Sequence, residues 1–197
     1  SGPVIVDGRR QPRPRIGYVR DAAFWFYYTE NLEALERAGA ELVPITLLGG
    51  GNGWTREKLE SLDGLYIGAG FPEDYAERLS SNAEARAGVI ALIEAGAPVY
   101  AEGSALYYLG RELKCSGQSY PMCGIFDLSA ELGKTPRGIG YVQAVAEGDN
   151  PFHPPGCRLK AHEFPYASLH LPEALAKSAR LRREKGGGPA PGAATPL

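Results

Sequence analysis

The stretch Pro98-Val99-Tyr100-Ala101-Glu102-Gly103-Ser104-Ala105-Leu106-Tyr107-Tyr108-Leu109 constrains the chain most. A short apolar run follows Gly96 and Pro98, passes through small residues, and continues into an apolar, helix-compatible run. This predicts a strand that enters a helix through a tight turn. In an α/β sheet such an elbow lifts one side chain off the strand's carboxyl end, and the first-turn amides of the helix point at whatever it binds. Gly103, Ser104 and Ala105 supply the small residues that the turn requires.

The chain on either side agrees with a parallel, doubly wound pattern. Arg15–Val19, 41–45, 63–67 and 99–101 read as strands, with helices over 30–37, 55–59, the segment ending near Leu79, and the run to Gly96. Ser81-Asn82-Ala83-Glu84 has the form of a capping box, with Ser81 bonding the amide of Glu84. Gly49 to Gly53 lacks the Gly-Lys-Ser/Thr ending of a phosphate-binding loop and reads as a plain surface loop. After Glu112 the segments are shorter and turn-bounded. Tyr120–Phe126, 138–145 and 158–164 suit antiparallel strands on the sheet's edge. The expected fold class is therefore α/β: a flavodoxin-like, doubly wound, mostly parallel sheet with antiparallel strands added in the C-terminal half.

Residues 1–14 carry no apolar period and read as a linker, 15–170 as one domain, and 171–197 as a partly disordered tail in which 172–185 suits a short basic helix. Ser1-Gly2-Pro3 looks like the start of an excised domain. A net charge of −2 with interspersed signs gives no support to nucleic-acid binding. No apolar run reaches the roughly 18 residues of a membrane span. Cys115, Cys123 and Cys157 have no metal-knuckle or disulfide spacing, and His153, His162 and His170 form no ligand pattern. The simplest setting is a reducing cytoplasm, and no bound metal is expected.

Tyr100-Ala101-Glu102-Gly103-Ser104-Ala105-Leu106-Tyr107-Tyr108-Leu109-Gly110 closely resembles the elbow Tyr-Ala-Glu-Cys-Gly-Gly-Leu-Met-Tyr-Leu-Gly of the class I, triad-type glutamine amidotransferase domain of the cobyrinate a,c-diamide synthase and cobyric acid synthase family. Other motifs follow in the family's order. Asp21-Ala22-Ala23-Phe24-Trp25-Phe26-Tyr27-Tyr28-Thr29-Glu30-Asn31 resembles its Asp-x-Ala-Phe-x-Phe-Tyr-Tyr-x-x-Asn signature. Gly68-Ala69-Gly70-Phe71-Pro72-Glu73 resembles Gly-Gly-Gly-Tyr-Pro-Glu, and Ala161-His162-Glu163-Phe164-Pro165-Tyr166 resembles Gly-His-Glu-Phe-His-Tyr.

The resemblance implies a glutaminase that hydrolyses glutamine through a cysteine thiolate, a histidine base, an orienting carboxylate and an oxyanion-binding loop. It places Gly68, Ala69 and Gly70 in that loop, Gly103 at the cysteine position with Glu102 and Ser104 beside it, and His162 and Glu163 on the closing motif. Asp21, Tyr27, Tyr28 and Asn31 become candidates for positioning the domain on its partner or on a large ring substrate. The nucleophile is missing at Gly103, and Pro165 stands where the family has a second histidine. An engineered change would explain Gly103 but not Pro165.

The implied partner is a synthetase domain or subunit that activates a ring carboxylate of cobyrinate or a siroheme-type tetrapyrrole. ATP and Mg²⁺ belong on that part, and no cofactor is expected on this domain. A tetrapyrrole ligand and a homodimer are left open. Three functions remain open: a silent partner-binding or regulatory module, an active glutaminase using Ser104 or Cys115 with His162 as base, and a tetrapyrrole- or amino-acid-binding pocket protein.

Overall fold

A computed structural model describes residues 4–6, 9–49, 56–136, 140–146, 152–163, 165–172 and 179–183. Its centre is a four-stranded, fully parallel sheet whose spatial order is Glu41–Ile45, Arg15–Val19, Gly64–Ile67 and Val99–Ala101. The strands that pair directly, such as Ile67 with Ala101, end level with one another, so the loops after them gather at one edge. That edge is where open α/β sheets place function.

Helices Arg56–Glu60 and Ala83–Glu94 pack together, and Leu59, Leu79, Val89 and Leu92 bury their side chains with Val43, Ile45 and Ile67. Helix Thr29–Arg37 buries no residue fully. The elbow helix Ala105–Leu109 is the most apolar, with Ala105, Tyr107, Tyr108 and Leu109 all buried. Among the described residues no helix is long and apolar enough to cross a membrane.

The structure departs from the sequence expectations in four places. The antiparallel segments form sheets of their own rather than edges of the parallel one. Strands 118–121, 112–115, 129–132 and 167–170 make one, and 158–163, 140–146 and 179–183 another. Within the first, 129–132 runs parallel to 112–115.

The basic tail is the second departure. Ala179–Arg183 is a strand paired antiparallel with Val142–Ala146, not helix, because it completes the hydrogen bonding of an otherwise open strand edge. Residues 173–178 of the proposed helix and 184–197 lie outside the described residues, as do 50–55 of the glycine-rich loop, 137–139 and Phe164, while Pro172 is described and not helical.

Residues 4–6 and 9–11, read as linker, pair as a two-stranded antiparallel ribbon. The fourth departure is the cap of helix Ala83–Glu94, which is Asn82, one residue after Ser81. Its carboxamide accepts from the Ala85 amide at 3.3 Å and donates to the Leu47 carbonyl at 2.9 Å. Ser81 closes the preceding helix instead and donates to the Arg78 carbonyl. Asn82 prevails because its side chain satisfies two backbone groups at once.

Candidate functional site

The elbow forms as the sequence predicts. Strand Val99–Ala101 leads through Glu102, Gly103 and Ser104 into helix Ala105–Leu109, and Glu102 donates its amide to the Ile67 carbonyl at 2.9 Å. Gly103 sits exposed at the apex with φ of +55°. That left-handed backbone is strained for a residue with a side chain, which elbows accept in order to project a nucleophile. A Cβ added to Gly103 would lie 3.3 Å from the Ala69 Cβ. A side chain at Gly103 would thus face the loop that contains Ala69.

That loop is closed by hydrogen bonds within the chain. Ala69–Gly70 pairs antiparallel with Phe24–Phe26, so the aromatic segment lies directly on it. Gly70 has to be glycine here, since a Cβ would come within 1.9 Å of the Ala23 carbonyl oxygen. The Tyr27 hydroxyl donates to the Val19 carbonyl at 2.5 Å and accepts from the Gly68 amide at 2.9 Å. Burial pushes its phenol well above the usual range, so the hydroxyl keeps the proton it donates.

The Ser104 hydroxyl accepts from the Gly70 amide at 3.1 Å and donates to the Gly70 carbonyl at 2.7 Å. Ser104 is the N-cap residue of helix Ala105–Leu109, but its side chain makes no cap bond to that helix and is spent on Gly70 instead. Of the amides expected to be free for an oxyanion, Gly68 and Gly70 therefore already have partners.

Asp21 is equally committed. One carboxylate oxygen accepts from the amides of Ala23 and Phe24, and the other from the Thr46 hydroxyl and the Leu47 amide. It ties the aromatic turn to the loop after Ile45. Thr46 and Leu47 gave no sequence signal for this, since the bond joins segments 25 and 26 residues apart.

Within the aromatic run, Phe24 is fully buried against Tyr108, while Trp25, Phe26 and Tyr28 are exposed by 53, 45 and 57%. Together with Phe71 they form one surface cluster of ring contacts beside the loop. Asn31 and Glu102 meet elsewhere, in a crevice with Tyr66, Tyr100 and Phe152. Burial holds the Glu102 carboxyl above its ordinary range.

His162 is exposed on strand Arg158–Glu163, its ring packed edge-on against Tyr141 at 5.5 Å. Glu163 stands next to it, paired in register with Gly140. Among the described residues no hydrogen bond, ion pair or ring contact joins His162 to the elbow. Cys115 and Cys123 are buried in the core cluster, where burial raises both thiols, that of Cys123 to about 12. Neither has the lowered pKa of a reactive thiol. Among the described residues no group of three or more His, Cys, Asp or Glu side chains is placed to hold a metal ion.

The parallel sheet whose fourth strand runs into a strand-turn-helix elbow has the fold of class I glutamine amidotransferases, as the superposition on solved structures shows. A glutamine amidotransferase superposes with a TM-score of 0.56 at 16% identity, covering 85% of this chain and 84% of that one. PurLQS from Thermotoga maritima superposes with a TM-score of 0.61 at 10% identity, covering 88% and 76%. At these identities the likeness concerns the fold.

The sequence itself is more specific, because residues 15–195 match the CobB/CobQ-like glutamine amidotransferase domain, and the chain belongs to that family. It is 40% identical over 162 residues to the cobyrinate a,c-diamide synthase of Caldanaerobacter subterraneus subsp. tengcongensis, covering 81% of this chain and 34% of the relative. It is 38% identical over 158 residues to that of Streptococcus sanguinis, covering 80% and 34%. The chain thus spans about a third of the length of these relatives.

Proposed function

We propose that this glutamine amidotransferase domain is catalytically silent as a glutaminase and serves as the partner-binding module of a tetrapyrrole amidotransferase of cobyrinate or siroheme type. The observation that carries this is the elbow apex. A glycine occupies the one position whose side chain would project from the turn, and the neighbouring hydroxyl, Ser104, is held by both backbone groups of Gly70. An amide cannot be cleaved by covalent catalysis without a nucleophile at that place.

The displaced-nucleophile alternative gains nothing from its other candidate, because Cys115 is buried with a raised thiol pKa. The exposed rings of Trp25, Phe26, Tyr28 and Phe71 support the partner-binding role, since clustered aromatics beside a retained loop suit a protein interface. The partner in this proposal is the synthetase domain or subunit, which the relatives' greater length leaves room for and which would carry ATP and Mg²⁺.

Incubation with a glutamine-analogue chloroketone, followed by intact-mass measurement, tests the silence of the site. No adduct is expected, whereas glutamine-protectable labelling of Ser104 or Cys115 would overturn the proposal.

A further inference from the structure

A crevice of about 430 Å³ opens between helix Thr29–Arg37 and the strands Gly64–Ile67 and Val99–Ala101. Three aromatic rings run along it in edge contact, Tyr66 with Tyr100 at 5.5 Å and Tyr100 with Phe152 at 4.9 Å, and Leu35 contributes to the facing helix side. Two polar side chains, Asn31 and Glu102, join them. Among the described residues no lysine or arginine lines the crevice and Glu102 forms no ion pair.

Tyr66 is 4% exposed, and its buried hydroxyl lies beside Asn31 and Glu102 and interacts with both without closing a hydrogen bond of normal length to either. A half-buried carboxyl set into an apolar, aromatic wall with no countercharge among the described residues, beside a buried hydroxyl that closes no full hydrogen bond, leaves a place for a cationic partner.

We propose that this crevice binds a small organic cation, an ammonium or amidinium on an aromatic or apolar body, with the cation against Glu102 and the body between Leu35 and the Tyr100 and Phe152 rings. The cation supplies the missing countercharge. The ring faces add cation–π attraction, which is strongest when the charge is desolvated. With Glu102 held as the carboxylate, it is a stronger acceptor for the neighbouring Tyr66 hydroxyl, so the ligand's charge also tightens that contact. Burial raises the Glu102 carboxyl, against a smaller lowering by the Tyr66 hydroxyl, and a bound cation counteracts the cost of burial. The proposal uses neither Gly103 nor glutamine chemistry, and its outcome is independent of the glutaminase question.

The test is calorimetric titration of the full chain with 2-phenylethylamine, beside its neutral analogue 2-phenylethanol and its anionic analogue 3-phenylpropionate. The amine is expected to bind saturably and at least about tenfold more tightly than either analogue, a factor typical of one charge-assisted contact. Glu102→Gln, which keeps size and shape, is expected to abolish that preference. Phe152→Ala, at a residue already 40% exposed, provides a second variant and is expected to weaken the amine severalfold. Absence of saturable binding, equal binding of the three probes, or an unchanged preference in a folded Glu102→Gln protein would each overturn the proposal.

Discussion

Ser104 and Gly70 lie 34 residues apart in sequence, yet the hydroxyl of the first bonds both backbone groups of the second, at 3.1 Å to its amide and 2.7 Å to its carbonyl. The turn that would present a nucleophile and the loop that would hold an oxyanion are thereby fastened together. Ser104→Ala removes both bonds and leaves two part-buried groups of Gly70 to find water. The expected loss is about 1–3 kcal/mol, the cost of stranding a buried polar group. Urea unfolding measures it, and an unchanged midpoint would show that the clasp contributes nothing.

Tyr27 makes the companion clasp, from Val19 to Gly68. Tyr27→Phe keeps the ring in its contacts with Tyr18 and Tyr66 but strands the Gly68 amide and the Val19 carbonyl, and should also cost about 1–3 kcal/mol. Tyr28→Phe, one residue on and 57% exposed, should change stability by less than about 0.5 kcal/mol. Equal effects of the two substitutions in urea unfolding would contradict this assignment.

These clasps also mark what was legible in the sequence. The elbow could be read because it is local: Gly103, Ser104 and Ala105 lie between an apolar strand run and an apolar helix run, and periodicity reports such neighbours. The four parallel strands were legible for the same reason. The bonds of Asp21, Tyr27 and Ser104 join distant segments, and no spacing encodes them. Asn82 took the cap from Ser81 because of a carbonyl at Leu47, 35 residues away. Ala179–Arg183 became a strand because an open edge on Val142–Ala146 was available to it, while its own residues offer only a thin helical face. The family motifs located the elbow and its facing loop, but they did not foretell that the amides of Gly68 and Gly70 would be taken.

Glu112 should make stability sensitive to acid. Hydrogen bonds from Ser119, then Lys114 and Ser129, lower its carboxyl to about 2 in the folded chain. An unfolded glutamate titrates near about 4.3. A depressed folded pKa means that the stabilisation is fully present above about 4.3 and is lost as pH falls through about 2. Urea midpoints followed from pH 5 to 2 should fall more steeply for the parent chain than for Glu112→Gln. Parallel curves would show that the carboxylate network is not coupled to folding.

The surface rings should matter for association and not for folding. Trp25→Ala and Phe71→Ala, at sites 53 and 52% exposed, should leave the urea midpoint close to the parent value. Binding to a synthetase domain from a cobyrinate a,c-diamide synthase relative, followed by calorimetry, should weaken by about tenfold or more, as removal of an aromatic anchor does. Unchanged affinity in both variants would remove this face from the interface.

Ammonia release from glutamine, measured on the purified chain and on Gly103→Cys, tests the central claim most directly. The parent chain should release none above background, with or without an added synthetase domain. The substituted chain reports whether the rest of the pocket survives, because its new side chain would project toward Ala69 from the same left-handed turn. Turnover by the parent chain, at a rate that persists through repurification, would contradict the account.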